Sequence, residues 1–150
     1  MSLAERIDPR WVLVDLEAGD AESLFTAVTE TLARTGFLNQ AERARAKLLD
    51  RERIMSTAIA PGVAVPHARC EDSDRVGLAV VRLAGEGIDF GARDGQPVRL
   101  FFVLLGPPEA TAEHVQVLGQ IARLIQNRQA ISRLLAARSA GEVLDVLREE

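Results

Sequence analysis

Apolar positions recur along the chain with two periods, and each switch between them marks a boundary. Trp11–Leu16 alternates apolar with mixed residues and predicts an opening strand. Leu24, Val28 and Leu32 then fall four apart, on one face of a helix capped by Asp20 and closed by Gly36. Asn39 with Glu42 has the spacing of a capping box. It predicts a second helix with Ala41, Ala44 and Leu48 on its buried stripe, ending in the charged run Asp50-Arg51-Glu52-Arg53.

A short apolar stretch, Gly62–Val65, leads into a loop around His67, and Val76–Leu83 reads as a strand. Gly85, Gly87, Gly91 and Gly95 punctuate the next segment, which carries Ile88-Asp89-Phe90. Val98–Leu105 is almost continuously apolar, the pattern of a strand covered on both faces, and Pro107 and Pro108 stop it. Thr111 is placed to cap a long helix with His114, Leu118, Ile121 and Ile125 on its stripe. A further helix carries Ile131, Leu134 and Leu135. The last opens at Ser139 and Glu142 and packs Val143, Val146 and Leu147. No repeat, linker or low-complexity segment divides the chain, so residues 1–150 read as one α/β domain with a central sheet covered by helices.

Composition narrows the function. The 18 basic residues are scattered and the net charge is −4, which argues against a nucleic-acid footprint but not against one local phosphoryl group. Tyrosine is absent and Trp11 is the single tryptophan, so stacking platforms for single strands are not expected. Neither a spanning run nor an N-terminal signal pattern occurs, and the lone Cys70 fits a reducing compartment. The chain reads as cytoplasmic, with no direct membrane insertion.

His67 and His114 are the only histidines. By itself a histidine at a strand end is most simply a hydrogen-bonded structural residue. Here Pro66 fixes the backbone and restricts Val65 to an extended form, Pro61-Gly62 permits an abrupt turn, and Arg69 offers a cation two residues on. His114 shares an apolar stripe, consistent with a core-edge residue. It also lies in the first turn of a helix, where the dipole favours an anion and keeps an imidazole neutral. Walker, nucleophile-elbow and paired Cys-x-x-Cys motifs are absent. His67 and Cys70 alone make a poor zinc set. Glu71, Asp72 and Asp74 read as a solvated loop face.

The run Ser56-Thr57-Ala58-Ile59-Ala60-Pro61-Gly62-Val63-Ala64-Val65-Pro66-His67-Ala68, preceded by Arg51-Glu52, carries a resemblance. With Gly87-Ile88-Asp89-Phe90, Asp94-Gly95-Gln96-Pro97-Val98 and His114-Val115-x-x-Leu118 in the same order, the chain resembles the IIA domains of the fructose/mannitol class of the phosphoenolpyruvate-dependent sugar phosphotransferase system. That class includes a nitrogen-regulatory branch. The resemblance implies a single-domain α/β sandwich with a mixed central sheet flanked by helices. It further implies a phosphohistidine carrier, a phosphotransferase component without metal or cofactor. His67 would accept the phosphoryl group from HPr or a nitrogen-branch counterpart, and a IIB domain or a regulated protein would be the recipient. His114 falls on the second active-site histidine, Arg51 on the active-site arginine and Thr57 on a hydroxyl position near the phosphate. Arg69 is an addition from its position alone. Ala58 and Ala60 stand where the family has glycines, which opens the alternative of a binding module that keeps the fold without phosphotransfer. Sugar identity, transport against regulation, and oligomeric state are left open.

Overall fold

The computed structural model describes Met1–Glu150. Two short 3-10 turns lead into β1 (Val12–Leu16), followed by helices α1 (Ala21–Arg34) and α2 (Ala41–Ile54). Five strands come next: β2 (Ala58–Ala60), β3 (Val63–Ala64), β4 (His67–Arg69), β5 (Gly77–Leu83) and β6 (Leu100–Gly106). Helices α3 (Thr111–Gln126), α4 (Arg128–Ala136) and α5 (Ala140–Arg148) complete the chain. The expected α/β architecture with a mixed sheet is the one observed. Strands run in the order β1-β5-β6-β3-β2, with β4 also on β6. The β5–β6 and β2–β3 pairs are antiparallel and the others parallel.

The period of two in β6 decides where the layers go. Leu100, Phe102 and Leu104 enter the core shared with α3, α4 and α5. Phe101, Val103 and Leu105 enter the core shared with α1 and α2. All seven residues of β6 are buried, as its unbroken apolar run predicts. Arg82 of β5 is buried on the α4 side. It donates to the carbonyls of Leu135 and Ala137 and to Asp15, whose φ of 59° marks a bulge in β1, so one guanidinium joins three elements.

Caps account for most helix starts. Asp20 accepts from Ser23 N at 2.8 Å and the Ser23 hydroxyl accepts from Asp20 N, closing a capping box. Gly36 follows α1 at φ 86°. Ser139 accepts from Glu142 N at 3.1 Å, while the Glu142 carboxylate reaches past the cap to Arg138 N. Two expected caps are corrected. Gln40, not Asn39, is the extended residue before α2, and it makes no side-chain cap. Ala110 precedes α3 and Thr111 is already its first residue, with its hydroxyl donating back to the Pro108 carbonyl at 3.3 Å. Asn127, a cap residue by type, accepts from Ala130 N and starts α4.

The segment predicted as a loop around His67 is also corrected. Val63–Ala64 pairs with Leu100–Phe101, and His67–Arg69 pairs further along the same strand with Leu104–Gly106. Both pieces form one strand broken at Pro66, which has no N–H to give to the ladder. Its carbonyl still accepts from Leu104 N at 2.9 Å, while Val65 N turns away to Thr57 O. Ahead of this strand, Pro61-Gly62 reverses the chain from β2 to β3 with Gly62 at φ 75°.

Candidate functional site

Alternation along the broken strand aims the site. Val63 and Val65 enter the α3-side core while Ala64 and Ala68 enter the other, which places His67 with the α3 layer. His67 Nδ1 lies 2.8 Å from the Val65 carbonyl oxygen. A carbonyl only accepts, so Nδ1 carries the ring proton and Nε2 keeps its lone pair.

His114, in the first turn of α3, is brought to His67 with ring centroids 5.8 Å apart and planes tilted by 58°. Both readings of His114 meet here: it lies on the buried stripe with Val117 and Ile121, and it neighbours His67. The ring is 4% exposed and its Nδ1 is buried without a partner. Burial, then the charges of Arg69 and His67, push its pKa down to about 4. His67 also falls below its ordinary range, through burial first and the charges of Arg51 and Arg69, against the Val65 bond that favours the cation. Two neutral rings therefore face each other at neutral pH.

The cations approach from two elements. Arg51, in the last turn of α2, donates from Nη1 to the Met55 carbonyl at 2.9 Å. Arg69 ends β4 and donates to Pro108 O at 2.8 Å and Thr111 Oγ1 at 3.4 Å, tying the strand end to the start of α3. Thr57 is buried, and its hydroxyl and its amide each donate to the Glu52 carboxylate at 2.8 Å. The Thr57 hydroxyl is consequently engaged within the protein. Burial, the leading cause, raises the Glu52 carboxyl pKa against those two bonds. Sequence reasoning gave Glu52 no role of its own, although its place beside Arg51 and five residues before Thr57 was a usable signal. Ser56 donates to Phe90 O at 2.6 Å and accepts from Ala58 N, joining this loop to the Gly87–Phe90 motif.

Ala58 and Ala60 sit on β2, and neither has a positive φ. The backbone here needs no glycine at those two positions; the left-handed residue is Gly62. Asp72, expected on a solvated face, instead buries its carboxylate against Arg43 at 3.1 Å.

Fold and site together define an α/β sandwich that presents a pair of neutral histidines beside two guanidinium groups. Residues 5–150 match the model of the phosphoenolpyruvate-dependent sugar phosphotransferase system, EIIA 2, and the chain belongs to that family. A nitrogen regulatory protein of Bradyrhizobium diazoefficiens is 35% identical over 149 residues, covering 98% of this chain and 95% of the relative. The fructose-specific EIIA component of Haloferax volcanii is 32% identical over 139 residues, covering 91% and 90%. Among solved structures, the nitrogen regulatory protein IIA-Ntr of Neisseria meningitidis superposes with a TM-score of 0.88 at 32% identity, covering 96% of this chain and 97% of that one. No helix is long and apolar enough to cross a membrane.

Proposed function

We propose that residues 1–150 act as one phosphohistidine carrier, taking a phosphoryl group from an HPr-type donor onto His67 Nε2. The observation that carries this reading is the anchored Nδ1, which leaves Nε2 as the nucleophilic nitrogen beside His114. The Nε2 lone pair forms a P–N bond as the donor's P–N bond breaks, and the donor imidazole leaves with its electron pair. Positive charge then resides on the His67 ring, where Nδ1–H stays on the Val65 carbonyl. With one P–N bond exchanged for another, the protein mainly aligns the groups and offsets charge on the phosphoryl oxygens.

In this reading His114 hydrogen-bonds or orients the phosphoryl group, and Arg51 and Arg69 offset its charge. Thr57 would contribute to the phosphate site once its hydroxyl is released from Glu52. Onward transfer goes to a IIB domain, or the phosphorylation state itself is read by a regulated protein. The full-length likeness to nitrogen regulatory proteins favours the second outlet. The carrier works in the cytoplasm and requires no metal or cofactor.

Incubation with phosphoenolpyruvate, enzyme I and the HPr-type donor of the same organism tests the reading. An acid-labile label that disappears in His67→Ala is expected. Label that survives His67→Ala, or none from any such donor, leaves the binding-module alternative in its place.

A further inference from the structure

Arg43, Lys47 and Arg51 fall four residues apart on α2, one cation per turn on a single face. Arg69 joins them from β4. Together Arg43, Lys47 and Arg69 line an open cleft of about 320 Å³, with Cys70, Glu71 and Pro108. The charges of Arg51 and Arg69 in turn act on His67. A row of four cations therefore runs from the first half of α2 to the candidate nucleophile, in a chain whose net charge is −4.

Carboxylates lie near this row, Glu71 in the cleft itself and Glu52 beside Arg51, but neither forms an ion pair with it. Arg43 pairs with Asp72 but keeps 63% of its side chain exposed. None of Lys47, Arg51 and Arg69 is ion-paired: all the carboxylate pairs in the molecule involve other arginines. Like charges one helical turn apart repel, so the row by itself does not stabilise α2. The exposed large apolar residues tell what kind of surface this is. Apart from Met1, they are Ile54 at the end of α2, Met55 just after it, Ile59 on edge strand β2 and Val115 directly after His114, four positions on or beside the elements that carry the site residues. A small anion has no use for such a border, whereas a protein face buries it.

We propose that the Arg43–Lys47–Arg51–Arg69 row and its cleft seat an acidic face of the protein that delivers the phosphoryl group to His67. The proposal rests on the phosphocarrier reading above. A donor protein whose phosphohistidine reaches Nε2 lies over this end of the molecule, and complementary charge there speeds and orients the encounter. An anionic membrane fits less well, because the acidic remainder of the chain is repelled by it.

The test compares two phosphoryl donors on the full chain: the phosphorylated HPr-type carrier of the same organism, and phosphoramidate, which needs no docking. Lys47→Glu should slow labelling of His67 by the carrier about tenfold and flatten its salt dependence, and Arg43→Gln about threefold. Phosphoramidate should label wild type and both variants at equal rates, which also reports that the variants are folded. Carrier labelling of Lys47→Glu at the wild-type rate or faster, with unchanged salt dependence, overturns the docking proposal and leaves the phosphocarrier reading standing. Equal slowing with phosphoramidate overturns it in favour of a small-anion site. Binding of wild type to phosphatidylserine vesicles, lost in Lys47→Glu while carrier labelling is unchanged, overturns it in favour of a membrane surface. No label on wild-type His67 from either donor overturns the phosphocarrier reading itself.

Discussion

His67 Nδ1 is held 2.8 Å from the carbonyl oxygen of Val65, two residues back on the same broken strand. The backbone that presents the ring therefore also sets its tautomer. Pro66 stands between the two residues and keeps Val65 extended, so the carbonyl and the ring return to the same side of the strand. We predict that the phosphoryl group is carried on Nε2. Long-range ¹⁵N and ³¹P NMR of the labelled protein should place it there, and a phosphoryl group on Nδ1 would mean that the Val65 bond breaks before transfer.

The depressed pKa of His114 has a direct consequence for stability. In the unfolded chain the ring titrates near 6.5, while in the folded protein it titrates at about 4. Between those values the unfolded state binds more protons, so stability is complete above about pH 6.5 and declines as the pH falls toward 4. His67 is shifted in the same direction. We expect urea midpoints to fall across this window, with His114 accounting for on the order of 3 kcal/mol. The same titration in His114→Gln should be markedly flatter. A variant as pH-sensitive as wild type would assign the slope to other groups.

What the sequence made legible follows from how local each signal was. The two faces of β6 could be read from its apolar run, and α1 and α5 from Asp20 and Ser139, because those patterns lie within a few residues. Strands β2 and β4 were not legible. Each is three residues long, and it exists as a strand only because a distant partner supplies the ladder. The histidines were identifiable as candidates, but their meeting depends on the parallel register that sets His67 opposite Leu104, just before α3 begins. Arg69 was predicted to face an anion, whereas its tie to Pro108 and Thr111 required the tertiary fold. The family glycines replaced by Ala58 and Ala60 open the binding-module alternative, yet both residues accept ordinary strand conformations.

Glu52 joins the end of α2 to the start of the histidine loop through two bonds to one residue. Thr57 N and Oγ1 both donate to its carboxylate, and Thr57 is 3% exposed. Glu52→Ala would leave two buried donors without an acceptor, and we expect it to cost about 2–4 kcal/mol. Glu52→Gln keeps one carbonyl acceptor but turns an amide toward the other donor, so about 1–2 kcal/mol is expected. The raised pKa of Glu52 gives a second, independent readout. Its folded state holds a proton above the unfolded value near 4.5, so this group's contribution is largest at low pH and is lost as the pH rises through the folded pKa. Glu52→Gln removes that titration, and the penalty it causes should therefore be greatest in acid and shrink toward neutrality. Urea unfolding at two pH values, with amide exchange followed at Thr57, measures both effects. A Glu52→Ala protein as stable as wild type, with Thr57 equally protected, would show that the loop is held by β2–β3 pairing and the Ser56–Phe90 bond instead.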